Sequence, residues 1–209
     1  FISPNTASVP AKVTADKRSL SAITWTAVAP VKGFDLKRHN VFFSGDYRRE
    51  FNELFKARRV PTDPTVYICA QDQETGEPHS EGDAQRLLCL INAPGYGDRK
   101  TLAEEDIKTC LDAMTSRLNQ CGLALEITPE NSNVTQPADF EKLFPSSGGA
   151  LYGRASHGWM ASFARPGTMT KIPGLYLAGG SVHPGAGVPM ATLSGMLAAE
   201  QMTKARALT

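Results

Sequence analysis

Apolar residues in the first two thirds of the chain fall into short runs of the kind that form β-strands. These runs are rich in β-branched and aromatic residues, and some alternate apolar with polar positions. The pattern predicts strands at residues 21–29, 40–43, 65–70 and 87–91, and a further short strand at 126–128. A polar connection rich in glycine, proline and glutamate, residues 72–83, separates the third and fourth strands. We therefore expect this part of the chain to form a sheet.

Other stretches space their apolar residues three and four positions apart, as amphipathic helices do. Residues 46–58 carry such a stripe, consisting of Tyr47, Phe51, Leu54 and Phe55. Residues 103–120 carry a stronger stripe, consisting of Ile107, Cys110, Leu111, Met114 and Leu118. Acidic residues in its first turn and Gly122 just beyond its end support those bounds. A proline-initiated helix is predicted at 137–143, and a final helix at about 188–204.

The densest run of small residues lies near the C-terminus, between a predicted buried strand at 175–178 and the final helix. The connection holds Gly179, Gly180, Ser181, Val182, His183, Pro184, Gly185, Ala186 and Gly187. Glycines lack the Cβ atom that keeps a ligand away from the backbone. Amides at a helix N-terminus suit an anion or a polarised carbonyl. We therefore predict a ligand site at this turn.

Generic glycine motifs explain this run poorly. A tight strand-to-helix connection, which needs glycines only for turn geometry, is the structural alternative. The dinucleotide fingerprint fails because residues 185–190 supply only its first two glycines, and no acidic residue follows about 20 positions later. The nucleophile elbow G-x-S-x-G fails because His183 occupies the position of its last glycine.

The residues from 174 to 200 resemble the C-terminal flavin-binding signature of the bacterial phytoene desaturase (carotenoid desaturase) family. Three upstream segments resemble the same family in the same order, at residues 135–140, 148–159 and 162–166. Within the family, the sequence is most similar to the hydroxycarotenoid 3,4-desaturase branch, also called methoxyneurosporene dehydrogenase. The resemblance covers about residues 19–202, and its specific part is the last sixty or so residues.

The resemblance implies an α/β fold of mixed α+β character, the C-terminal part of a two-domain flavoprotein of the FAD/NAD(P)-binding, amine-oxidase-like type. Residues 1–18 would be a linker or remnant of the FAD domain. Residues 19–135 would form a substrate-binding domain with a mixed sheet and helices. Residues 136–209 would return to complete the FAD domain with a strand-turn-helix. Similar proteins begin with a G-x-G-x-x-G unit that this sequence lacks. We therefore expect a C-terminal fragment, inactive alone, whose partner is the missing N-terminal half.

FAD is the cofactor that the resemblance implies. The residues expected beside its ribityl and pyrophosphate groups are Gly179, Gly180 and Ser181. Those expected beneath the isoalloxazine are Gly187, Val188, Pro189 and Met190. A backbone N–H of Val188 or Met190 would face the N1/C2 carbonyl edge, where a helix N-terminus stabilises negative charge. His183 would shape the loop or lie at the flavin edge. Many relatives outside the carotenoid enzymes have an acidic residue where Gly180 and Ser181 stand.

Candidate substrate-side residues are Tyr152, His157 and Trp159, which could line a tunnel near the flavin or simply be core aromatics. Five phenylalanines leave a similar choice between an apolar entrance for a lipid and an ordinary core: Phe34, Phe42, Phe43, Phe51 and Phe55. No catalytic residue is assigned. No metal is expected either, because the four histidines lack the spacing of zinc ligands.

Composition narrows the class of protein further. A formal net charge of +1, without a cluster of five basic residues, gives no electrostatic reason to expect nucleic-acid binding. The four cysteines form no C-x-x-C pair, so we expect buried, reduced thiols. No run approaches the ~20 apolar residues of a membrane span. Any membrane contact would therefore be peripheral.

The implied activity is desaturation of a carotenoid, expected to be the 3,4-desaturation of a 1-hydroxycarotenoid, by hydride transfer to FAD in carotenoid biosynthesis. The expected location is cytoplasmic, with peripheral attachment to a membrane surface. Two alternatives stay open. One is another enzyme of the same fold, such as a different carotenoid desaturase, an isomerase or an amine oxidase. The other is a non-catalytic lipid-binding module.

Overall fold

The computed structural model describes residues 13–74, 80, 82–155 and 165–207. The chain divides into two compact units. We call Leu20–Gly149 the sheet unit, and Phe1–Ser19 together with Ala150–Thr209 the turn–helix unit.

A six-stranded sheet forms the centre of the sheet unit. Its strands are β1 (Ser21–Lys32), β2 (His39–Phe42), β3 (Val66–Ala70), β4 (Ala84–Ala93), β5 (Ala124–Leu125) and β6 (Ser132–Thr135). They lie in the order β2-β3-β4-β1-β5, with β6 also paired to β1, and every pairing is antiparallel. The four main strands predicted from the sequence are confirmed.

The helices are α1 (Tyr47–Asn52), which continues as a π-helical turn over Glu53–Ala57, α2 (Glu104–Gln120), α3 (Pro137–Leu143) and α4 (Val188–Ala207). Short 3-10 turns lie at Ala15–Lys17 and Gln71–Glu74. The predicted helices at 103–120, 137–143 and 188–204 are confirmed, as is the mixture of sheet and helices.

The core of the sheet unit lies on the face of the sheet that α2 covers. The first five residues of β1 are buried, burial then alternates along β1 and along β4, and Trp25 faces Cys89 across the ladder. Helix α2 adds Cys110, Met114 and Leu118, which are four positions apart and therefore share one face. The predicted apolar stripe of this helix is confirmed.

Helix α1 departs from the sequence prediction. Its buried positions are Glu50, Glu53 and Leu54, whereas Tyr47 is exposed and the other aromatics of the predicted stripe are half-buried. The two buried carboxylates are satisfied by polar groups of the segment after the helix, Thr62 for Glu53 and Thr65 for Glu50. Hydrogen bonds to this loop therefore decide which side of the helix faces inward.

Two predicted strands are wrong. Residues 126–128 have no strand, and pairing with β1 falls instead to β5 before them and β6 after them. The side chain of Asn131 closes this segment into a turn, because it accepts from the Thr128 N–H and donates to the Glu126 carbonyl. Residues 175–178 form only one isolated bridge, between Met169 and Tyr176, and are not buried. An extended segment needs neighbouring strands to form a ladder, and the described residues supply a single bridge.

The sheet unit continues past residue 135, where the sequence analysis divides the domains. Pro137 packs closely against two glycines: a Cβ added to Gly97 or Gly149 would lie 2.0 or 2.2 Å from its carbonyl oxygen. The Leu102 N–H also donates to the side chain of Gln136 at 2.7 Å. These contacts attach α3 to the sheet unit, whose last residue is Gly149. The substrate-binding and FAD-binding roles assigned to the segments stay predictions.

Candidate functional site

The glycine-rich turn before α4 leaves its backbone open at both ends. Gly179 and Gly187 have φ angles of +123° and +102°, a region that residues with a Cβ rarely adopt. A Cβ built on either residue would meet no other atom within 4 Å. The turn therefore has room beside its backbone at two of the positions where the sequence predicts cofactor contact.

The N-terminus of α4 is accessible next to this turn. Val188 is 82% exposed, and Pro189 and Met190 are exposed as well. The Ala191 N–H donates to the Gly187 carbonyl at 2.9 Å, so the N–H groups of Val188 and Met190 precede this intrahelical bond. The first turn contains no acidic residue. The positive end of the helix dipole is thus free of a competing carboxylate on its own helix.

The side chain of Arg165 binds the backbone of the turn. One guanidinium nitrogen donates to the Gly180 carbonyl at 2.9 Å, and another donates to the carbonyls of Tyr152 at 3.0 Å and Arg154 at 3.3 Å. The same side chain covers Gly185, where an added Cβ would lie 3.3 Å from Nε. One arginine therefore connects the glycine-rich turn to the segment around residue 153.

Ser194 fixes the turn from the side of the helix. It is fully buried, and its hydroxyl oxygen accepts from the Gly179 N–H at 2.7 Å. The hydroxyl lies 2.7 Å from the Ala191 carbonyl, to which it can donate. Ser194 thus attaches the first glycine of the turn to α4.

The other predicted residues lie around this framework. Ser181 is exposed and lies against Gly153, where an added Cβ would be 2.6 Å from its hydroxyl. His183 is exposed, its N–H donates to the Pro166 carbonyl at 2.8 Å, and the His183–Pro184 peptide bond is cis. Tyr152 is exposed, and its N–H donates to the Ser19 hydroxyl at 3.0 Å.

His157 and Trp159 lie outside the described residues. Of the three substrate-side candidates, the structure therefore places only Tyr152. Its carbonyl shares the Arg165 guanidinium with the Gly180 carbonyl. The structure thus brings the backbone of Tyr152 and the turn together through one cation.

The electrostatics of this region are positive. Burial lowers the pKa of Arg165 from its ordinary value, but an arginine stays protonated in proteins. Its three described acceptors are carbonyl oxygens, which leave the positive charge unneutralised. An arginine beside a helix N-terminus favours an anionic ligand. Open glycines together with this charge fit a flavin nucleotide, whose pyrophosphate is anionic and whose ring accepts negative charge.

Sequence reasoning missed Arg165 and Ser194 as site residues. A signal for the arginine is present: residues 142–199 contain four lysines and arginines and no aspartate or glutamate. An arginine without an acidic neighbour in a glycine-rich region is a candidate for binding carbonyls or phosphates. Ser194 carries no comparable signal, because a serine among small helical residues is ordinary.

The model of the flavin containing amine oxidoreductase family matches residues 36–203. The chain belongs to this family. FAD is therefore the cofactor that family membership implies, and the predicted α/β flavoprotein class is confirmed.

Individual relatives show which members of the family the chain is similar to. The chain is 50% identical over 192 residues to a protein named hydroxyneurosporene desaturase from Rubrivivax gelatinosus, a match covering 92% of this chain and 36% of that protein. It is 34% identical over 196 residues to a 1-hydroxycarotenoid 3,4-desaturase from Flavobacterium sp. strain P99-3, covering 91% and 39%. It is 30% identical over 169 residues to a 4,4'-diapolycopene oxygenase from Methylomonas sp., covering 80% and 34%. The predicted resemblance to the carotenoid desaturases is confirmed, and the chain spans little more than a third of these relatives.

Two further findings concern ligands and membranes. Within the described ranges, no group of three or more histidine, cysteine, aspartate or glutamate side chains could hold a metal ion. The helices in that same part of the chain include none with the length and apolar character needed to cross a bilayer.

All four cysteines are free: Cys89 and Cys110 are buried, Cys69 is half-buried, and Cys121 is exposed, contrary to the expectation of burial. Cys121 follows the last turn of α2, beyond the buried stripe.

Proposed function

We propose that this chain is the C-terminal part of an FAD-dependent carotenoid desaturase, and that its substrate is a 1-hydroxycarotenoid desaturated at the 3,4 position. The 50% identity to a hydroxyneurosporene desaturase over 92% of the chain carries the proposal. The open glycine-rich turn and its positive surroundings support a flavin at this corner. The rest of the enzyme would supply the remaining contacts of the cofactor.

In this proposal, different residues of the turn contact different parts of FAD. Gly179, Gly180 and Ser181 would lie beside the ribityl and pyrophosphate groups, and His183 would shape the loop. Gly187, Val188, Pro189 and Met190 would lie at the isoalloxazine. When bound, FAD supplies the acceptor for the hydride that leaves the carotenoid. The N–H group of Val188 or of Met190, at the positive end of α4, would stabilise negative charge at the N1/C2 edge.

A carotenoid is a long apolar molecule, so the proposed enzyme works where its substrate is dissolved. We therefore include a cytoplasmic location and peripheral attachment to a membrane surface in the proposal. Tyr152, His157 and Trp159 are the proposed substrate-side residues. Tyr152 is half exposed, which leaves its ring available for an apolar contact.

The test is to express the protein, at the length of its relatives, in cells that make 1-hydroxylated carotenoids, and to record the absorption spectra of the extracted pigments. A red shift from added conjugation is expected. An unchanged spectrum with flavin bound would overturn the proposal. New oxygenated end groups, detected by mass spectrometry, would assign the oxygenation named for the Methylomonas relative instead.

Substitutions in the turn test whether this corner holds the cofactor. Gly187→Val adds a branched side chain to the open backbone, and we expect it to reduce the FAD content of the purified protein. Gly174→Val is the matched control, because Gly174 also has a positive φ and open space around it but lies outside the predicted contacts. Equal FAD content in both variants would exclude the proposed site.

A further inference from the structure

The sheet unit carries a row of aromatic side chains that its own core leaves partly uncovered. Phe43 is 62% exposed and Tyr47 53% exposed, and Phe51 and Phe55 are half-buried. Ring centroids lie 6.0 Å apart between the first pair, 4.7 Å between the second and 5.8 Å between the third. We call these four residues the aromatic row.

The orientation of α1 explains why the row is at the surface. Tyr47, Phe51 and Phe55 are four positions apart and follow one side of the helix. The helix turns Glu50 and Glu53 inward, so the aromatic side lies at the boundary between the buried and the exposed faces. Aromatic rings at such a boundary can reach an apolar phase without leaving the protein surface.

Charges on the same helix are separated. The inward carboxylates are already satisfied, Glu50 by Thr65 and Glu53 by Thr62 and Arg59. Arg48 and Lys56 are exposed. The helix therefore presents cations outward and keeps two of its acids inside.

An open groove of about 470 Å³ runs along the polar side of α1. Four cationic side chains line it: Arg48 and Lys56, together with Arg49 and Arg59, which also form ion pairs with Glu53. Its two acids are Asp46, which caps the helix by accepting from the Arg49 N–H at 2.9 Å, and the satisfied Glu53. We call this the basic groove.

We propose that the aromatic row and the basic groove together form the surface by which the enzyme docks on an anionic phospholipid bilayer. A helix lying in the interface places aromatic rings at the acyl boundary and cations at the phosphates. The long stems of arginine and lysine let both contacts form at one depth. The inference rests on the proposed function, which already includes peripheral attachment to a membrane surface, and adds the residues that make the contact.

The test measures how the protein, at the length of its relatives, sediments with vesicles of phosphatidylcholine alone or mixed with phosphatidylglycerol. Binding to the mixed vesicles is expected, weakening as salt increases. Phe43→Ser with Tyr47→Ser should lower the partition coefficient about tenfold. Arg48→Gln with Lys56→Gln should lower it about 30-fold on mixed vesicles, with little change on neutral ones. Wild-type binding by both double variants would overturn the proposal.

Matched controls use exposed residues of the same unit away from α1. Phe144→Ser and Lys108→Gln should bind as the wild type does, and a loss equal to that of the α1 variants would make the effect non-specific. Tyr47→Cys tests another occupant, with maleimide labelling located by peptide mass spectrometry because the exposed Cys121 also reacts. If a different part of the protein covers the row, the thiol at position 47 will resist maleimide without vesicles, which would also overturn the proposal. Flavin absorbance and desaturation in detergent micelles are read in parallel. Their retention when docking fails separates this inference from the proposed function.

Discussion

The two units of the chain are stabilised in different ways. The sheet unit has a contiguous core in which strands and α2 bury side chains such as Trp25, Ile68 and Met114. In the described part of the turn–helix unit, few apolar side chains are buried, among them Val182 and Ala198. Its turn is instead fixed by hydrogen bonds of the main chain. Arg165 donates to backbone carbonyls, and the Ser194 hydroxyl accepts from a backbone N–H. The stability of the sheet unit therefore depends on buried side chains, whereas the conformation of the glycine-rich turn depends on polar contacts to its backbone.

This difference has a functional consequence. A turn held by main-chain bonds needs no side chains inside it, so its glycines can stay open toward a ligand. Helix α4 also exposes apolar side chains, including Val188 and Met196, which a self-contained unit would bury. We propose that further structure of the longer flavoprotein covers these side chains.

Replacing Trp25 should have the largest effect and tests the first half of the comparison. Trp25 is 1% exposed in the middle of β1, and Trp25→Ala should destabilise the sheet unit by about 4 kcal/mol. Val28→Ala on the same strand, where the side chain is 55% exposed, should change stability by less than about 0.5 kcal/mol. Urea unfolding measures both changes. Similar changes in the free energy of unfolding for the two variants would show that the stability of this unit does not depend on side-chain burial.

Elements of the sheet unit could be predicted from sequence where one local signal decided the outcome. The stripe of α2 repeats at helical spacing and meets the sheet, so its buried residues were foreseeable. The face of α1 was not, because Glu50 and Glu53 are buried by hydrogen bonds from residues 62 and 65, which a helical pattern does not contain. In the turn–helix unit, the segment 175–178 has the composition of a buried strand, but composition cannot show whether neighbouring strands are present.

Arg165→Ala tests the second half of the comparison. It removes the donors to three carbonyls and the charge beside the turn, and hydrogen bonds to charged groups contribute about 2 kcal/mol. We expect FAD to bind about 30-fold more weakly, as measured by flavin fluorescence titration. Arg165→Lys keeps the charge without the planar fork and should lie in between. Arg99→Ala, at an exposed position in the sheet unit, is the control. Unchanged FAD affinity in Arg165→Ala would separate this residue from the cofactor site.

Glu53 allows the polar contacts of the sheet unit to be tested by pH. Burial alone would raise its pKa, but hydrogen bonds from Thr62 and Arg59 bring the pKa below its ordinary value of 4.5. Since the folded pKa is depressed, the stabilisation is present above pH 4.5 and is lost as the pH falls through the folded pKa. Glu53→Gln should cost about 2 kcal/mol near neutral pH, and less as the medium becomes acidic. Urea unfolding at several pH values measures this loss, with the exposed Glu126→Gln as control. A cost independent of pH would contradict the assignment.

The candidate site divides in the same way between foreseeable and hidden residues. Its glycines were foreseeable because the need for an open backbone restricts the residue type at each position. Arg165 and Ser194 act on that backbone from 15 residues before Gly180 and 15 residues after Gly179. Such distant contacts leave no periodic trace in the chain. The lack of acidic residues from 142 to 199 marks the region as positive without selecting one arginine.

Ser194→Ala should have the smallest effect of these changes and examines one hydrogen bond of the turn. The substitution leaves the Gly179 N–H without its described acceptor, at a cost of about 1 kcal/mol. Amide hydrogen exchange at Gly179 should therefore become about fivefold faster, while exchange in β4 stays as in the wild type. Thr192→Ala is the matched control, because the Thr192 hydroxyl donates to the Val188 carbonyl of its own helix at an exposed position. If Thr192→Ala accelerates exchange at Gly179 equally, the turn depends on the helix as a whole rather than on this serine, and the contrast between the two units loses its sharpest local support.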